Sequence, residues 1–125
     1  MKESEVVRYV ESWLKNERKY SKKEGYEIIC KMKRSGADCI VKKGGKTIVQ
    51  VETKGSSGDI YSGLGQCLWY FWEESSAETY LAVPYNLPSN IKIEDIKQVM
   101  DHNSLSFGLM EIQKNGKPKV IRRIK

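Results

Sequence analysis

Apolar residues recur along this chain first at helical and then at strand spacing. Val6, Val7, Val10, Trp13 and Leu14 fall on one face at about 100° per residue, which predicts an amphipathic helix over 4–18 with Ser4 as its N-cap. A polar, basic stretch runs to Gly25. Three β-prone runs follow at 26–33, 37–42 and 47–54, punctuated by Ser35-Gly36 and Gly44-Gly45, which predicts a hairpin-linked meander. After the Gly55-Ser56-Ser57-Gly58 loop, Leu64, Cys67, Leu68, Phe71 and Trp72 predict a second helix from about 59 or 62 to 75. A short buried strand over 79–83 stops at Pro84. Ile93, Ile96, Val99 and Met100 mark a third helix ending near Asn103. Runs at 107–112 and 119–124 form a final hairpin turning at Asn115-Gly116.

The order is helix, three strands, helix, strand, helix, two strands. It predicts an α/β fold with a mixed central β-sheet flanked by α-helices, in a single domain spanning 1–125. At 39% hydrophobic and 30% charged residues the composition is that of a globular protein. No apolar run approaches the ~20 residues of a membrane span, and the N-terminal segment has acids and no apolar stretch of signal-peptide type. Cys30, Cys39 and Cys67 are odd in number and lack CxxC spacing, which argues against a disulfide scaffold or zinc knuckle and predicts a reducing, cytoplasmic setting. With one histidine, His102, a multi-histidine metal site is excluded.

Charge changes the picture of partners. The formal net charge is +6, from 22 basic and 16 acidic residues. Residues 113–125 hold six basic residues and no acid, so the excess is carried by the C-terminal tail; Lys15, Arg18, Lys19, Lys22 and Lys23 make a second local cluster. Basic stretches attract polyanions, nucleic acid first among them, although lysine-rich surfaces also serve plain solubility.

The third strand reads Ile48-Val49-Gln50-Val51-Glu52-Thr53-Lys54, with Glu52 and Lys54 on one face and Val49, Val51 and Thr53 on the other. A glutamate and a lysine closing an apolar strand are costly if buried unpaired and make sense where the strand end opens into a cleft. If Gly44-Gly45 turns a hairpin, Asp38 comes near Glu52. Paired carboxylates attract a hard divalent ion, and Lys54 beside them could orient an attacking water or offset charge developing on phosphorus. The plain alternative is a cross-strand salt bridge worth ~0–1 kcal/mol.

The set Gly36-Ala37-Asp38, Val51-Glu52-Thr53-Lys54-Gly55 and Gln66-Cys67-Leu68-Trp69-Tyr70 resembles the PD-(D/E)XK nuclease superfamily, in the branch with a QxxxY element, and its layout is similar to that of the small archaeal Holliday-junction resolvases. The resemblance implies a restriction-endonuclease-like core and a Mg²⁺- or Mn²⁺-dependent deoxyribonuclease. It implies Asp38 and Glu52 as metal-binding acids, the Thr53 carbonyl as a further ligand, and Lys54 as the catalytic lysine. Gln66 and Tyr70, i and i+4 on one helix face, complete the site. Ala37 stands where the family name has proline. A helix-borne glutamate is also implied; Glu3, Glu5 and Glu11 are the candidates, and Glu5 is preferred. Partners are then DNA (duplex, single-stranded or branched) and, given the small size, a second copy as a homodimer, with no membrane. The competing expectations are a non-cleaving nucleic-acid-binding module on the same fold and a protein-interaction domain.

Other signals are set aside. Gly45-Lys46-Thr47 lacks the first glycine of a P-loop and precedes a strand. Phe71 and Trp72 are expected in the core, with Trp69 exposed. The C-terminal basic hairpin is a candidate phosphate contact, with Arg122 and Arg123 on opposite faces and one of them expected simply to be solvated.

Overall fold

The computed structural model describes residues 1–31 and 37–124. Helix α1 (Glu3–Asn16) leads, through a 3-10 turn (Lys22–Glu24), into strands β1 (Tyr26–Cys30), β2 (Cys39–Lys43) and β3 (Lys46–Thr53). Helix α2 (Ile60–Glu73), strand β4 (Glu78–Pro84), helix α3 (Ile93–His102) and strands β5 (Gly108–Ile112) and β6 (Pro118–Arg122) follow. The six strands lie side by side in chain order. The β1–β2–β3 meander and the β5–β6 hairpin are antiparallel, while β3, β4 and β5 run parallel.

The parallel strands need crossovers, which α2 and α3 supply. Crossovers of one hand stepping the same way across a sheet fall on the same face. Accordingly Ile60, Leu64 and Cys67 of α2 share a cluster with Ile96 and Met100 of α3 over Leu81, Val83 and Leu109. Helix α1 covers the other face, where Val6, Val10 and Leu14 pack on Val41, Val49, Val51, Ala82 and Met110. Strand β4 is buried on both faces and for that reason is a continuous apolar run from Tyr80 onward. Among the described residues no helix is long and apolar enough to cross a membrane.

The mixed sheet and the element order follow the sequence pattern; several details differ. Helix α1 starts one residue before Ser4, with Lys2 as N-cap, because Glu5 accepts a hydrogen bond from the Lys2 amide (3.2 Å). The expected first strand ends at Cys30; its last two residues and Gly36 lie outside the described residues. Trp72 is not in the core but 73% exposed, and Leu68 is 47% exposed. The buried positions of α2 are Ile60, Gly63, Leu64 and Cys67, a line that leads on to Phe71 and leaves Trp72 about 100° further round the helix.

Of the two adjacent arginines, Arg123 is exposed and Arg122 faces inward. Arg122 is buried, and its guanidinium donates to Asp101 Oδ1 and to the carbonyls of Leu105 and Phe107, each at 2.6 Å. A cation held by three acceptors under α3 is a structural tie and not a phosphate grip.

Candidate functional site

The C-terminal end of β3 meets the start of β2 and the first turn of α1. An irregularity in the meander sets this meeting. Lys43 and Lys42 pair with Lys46 and Thr47, but Val41 pairs with Val49, so Ile48 is an extra residue in β3. Without it Asp38 would come opposite Val51. With it, Cys39 pairs with Val51, and the register continues from Asp38 to Glu52. Asp38 is then fastened by Thr53: its Oδ2 accepts from the Thr53 amide (3.0 Å) and hydroxyl (2.8 Å). Thr53 therefore orients one acid through its amide and hydroxyl, a role beyond the carbonyl contact expected of it.

Glu52 is 3% exposed and lies 3.6 Å from the Lys54 ammonium. Burial first, then the charge of Asp38, pushes its pKa up to about 7, while Lys54 pulls the other way; Glu3 adds to the rise. Two carboxylates facing one lysine leave a net negative, desolvated cluster. The Glu3 carboxyl is raised as well, by burial and by Asp38.

The N-terminal acids are placed differently by their hydrogen bonds and ion pairs. Glu5, the preferred candidate, is turned back onto the Lys2 amide and closes the helix end. Glu11 pairs with Lys15 one turn on (3.5 Å). Glu3 is the acid that Asp38, Glu52 and Lys54 feel. Its position depends on Gly55, where a Cβ would come 2.6 Å from the Glu3 amide nitrogen. The Ser56 amide bonds the Met1 carbonyl (2.9 Å), so the loop after β3 and the start of α1 are packed backbone to backbone.

Helix α2 forms the remaining wall. A Cβ at Gly63 would lie 3.2 Å from both Cγ and Cε of Lys54, so the lysine stem runs beneath this glycine. Tyr70 is near enough to the acids that burial, then Glu52 and Asp38, push its phenol up to about 12. Gln66 Oε1 is buried and, among the described residues, has no hydrogen-bond partner. An orphaned acceptor is costly in a finished core and ordinary in a pocket whose ligand or water completes it. Gln50 is a residue the sequence reading passed over. It is buried on the Glu52 face and donates to the Tyr70 carbonyl and to Thr79 Oγ1, both at 2.9 Å, which ties α2 to the sheet. The signal was present: positions 50, 52 and 54 are polar on one face of an apolar strand.

The structure thus assembles Asp38, Glu52, Thr53, Lys54 and Tyr70, adds Glu3, and leaves Glu5 outside. Among the described residues no three His, Cys, Asp or Glu side chains close around one point as a metal cage. Mg²⁺ asks for less, one or two carboxylates with water and substrate oxygens, and the uncompensated charge on Glu52 and Asp38 suits such an ion. Compared with protein-family models, curated proteins and solved structures, the chain matches none.

Proposed function

We propose that this chain is a Mg²⁺- or Mn²⁺-dependent nuclease of the PD-(D/E)XK type, with a restriction-endonuclease-like core, hydrolysing phosphodiester bonds in DNA. The observation that carries the reading is Glu52: a carboxylate 3% exposed, beside Asp38, with its pKa pushed up to about 7 despite Lys54. Burying like charges is unfavourable unless a cation joins them when the site works. The element order, helix, antiparallel meander, helix and parallel strand, supports the same reading.

Asp38, Glu52 and the Thr53 carbonyl would hold the ion. Once bound, it supplies charge withdrawal from the scissile phosphate and a lower pKa for the attacking water. Thr53 keeps Asp38 from turning away. Lys54, its stem confined under Gly63, presents its ammonium to the water or to a non-bridging phosphate oxygen and offsets the charge that builds there. Gln66 offers its unpartnered oxygen as an acceptor for the attacking water, and the raised Tyr70 phenol remains a proton donor. The water oxygen forms a bond to phosphorus and gives up a proton to solvent, the opposite P–O ester bond breaks, and the departing oxygen takes up a proton, leaving a phosphomonoester and a hydroxyl end.

The test is incubation with single-stranded, duplex and branched DNA with Mg²⁺, Mn²⁺ or chelator. Metal-dependent cleavage is expected, reduced roughly 10²–10³-fold in Lys54→Ala and at least as much in Glu52→Ala. A parent protein that cuts none of these substrates would falsify the reading.

A further inference from the structure

A groove of about 680 Å³ lies at the end of the sheet away from Glu52, between the last turn of α1, the 3-10 turn and edge strand β1. Lys15, Tyr20, Lys22, Tyr26 and Glu27 are among its lining residues. The Tyr20 and Tyr26 rings pack at 4.9 Å with a 59° tilt. The Lys43 ammonium, brought over from β2, stands 4.6 Å above the Tyr26 ring. Two of the acids nearby lie beside basic residues. Glu78 takes two hydrogen bonds from Arg18, both at 3.1 Å, and Glu27 faces Lys42 across the β1–β2 ladder.

The fold makes this cationic patch from two segments distant in sequence. Residues 15–31 and 42–46 hold nine basic side chains and three acidic ones, and the pairing of Tyr26 with Lys43 brings them together. The strong positive balance of the C-terminal tail is therefore not the only one on the molecule. The patch has an aromatic floor and a lysine rim. That combination fits a chain of phosphates carrying π-faced bases: ammonium groups take the backbone, and tyrosine faces or edges take a base. A bilayer surface is flat and would not enter a concave groove.

We propose that this groove is a second contact for the DNA strand, with Lys22 and Lys43 on successive phosphates and a base against the Tyr20–Tyr26 pair. It rests on the nuclease reading for the identity of its ligand, and adds a footprint. Five residue steps lead from Tyr26 to Lys31, whose amide donates to the Asp38 carbonyl (2.9 Å). At ~3.4 Å per residue that is about 17 Å, or about five base-pair steps. DNA held in the groove would thus extend toward the acids.

The experiment is fluorescence anisotropy on the full chain with a labelled 30-nucleotide single strand and a 30-base-pair duplex, in chelator so that nothing is cut, from 50 to 200 mM salt. For Lys22→Glu/Lys43→Glu, tenfold or weaker binding is expected. Lys22→Gln/Lys43→Gln should fall between this variant and the parent, with the log–log salt slope for duplex shallower by about 1.8. Circular dichroism checks that both variants fold. Groove variants that bind like the parent, a parent that binds no DNA at 50 mM salt, or a parent that binds phosphatidylserine vesicles but not DNA each overturn the groove. The two readings fail separately: cleavage by a parent whose groove variants bind normally removes only the groove, and groove-dependent binding without any metal-dependent cleavage removes only the nuclease.

Discussion

Arg122 and Glu52 are both charged groups taken out of water, each 3% exposed, and their surroundings differ in one respect. Arg122 has an acceptor for each of the three nitrogens it directs inward, so its cluster is closed. Glu52 has a single lysine at 3.6 Å and further acids close by, so its cluster carries surplus charge. A buried charge with a full set of partners holds a structure together. One left short of partners costs stability in the empty protein, and that cost is recovered when a ligand of opposite charge arrives. On the proposed reading, that difference is what would separate a structural tie from a ligand site, without reference to any motif.

The comparison breaks most sharply on substitution. Arg122→Ala leaves Asp101 and two carbonyls without their donor and should lower unfolding free energy by about 3 kcal/mol in urea titration. Glu52→Gln removes the surplus charge and keeps the shape, so at pH 8 it should raise stability by about 2 kcal/mol. Equal destabilisation by both would mean that the acid cluster is as complete as the arginine cluster.

pH sharpens the contrast further. A carboxyl whose pKa is raised on folding stabilises the fold fully below its unfolded value of about 4.5. That contribution is lost as pH rises through about 7. The Glu52→Gln advantage should thus shrink toward zero at pH 4.5. Mg²⁺ or Mn²⁺ at a hundredfold excess over its dissociation constant should stabilise the parent at pH 8 by about 2.7 kcal/mol and Glu52→Gln far less, read as thermal shifts. An equal shift in both proteins would locate the ion elsewhere. The smallest effect belongs to Trp72: with 73% of it in solvent, Trp72→Lys should change stability by less than about 0.5 kcal/mol.

Much of this was legible in the chain itself. The period of the apolar residues marked each helix and strand in order, since amphipathic faces are a local property. The alternation along β3 put Glu52 and Lys54 on one face, and the glycine turn between β2 and β3 brought Asp38 toward them. Register was not legible: whether Asp38 meets Glu52 or Val51 depends on the extra residue Ile48, and a bulge leaves no mark in hydrophobicity. Nor was the choice among the acids of α1, because Glu3 reaches the site through the backbone approach at Gly55, a contact across some fifty residues of chain.

Local periodicity therefore determined which elements form and which side chains can share a face. Tertiary packing alone decided which charges are left uncompensated, and which lysines gather beside Tyr20 and Tyr26. Surplus or balance of charge depends on every group within a few ångströms, and those neighbours come from strands and helices far apart in the sequence.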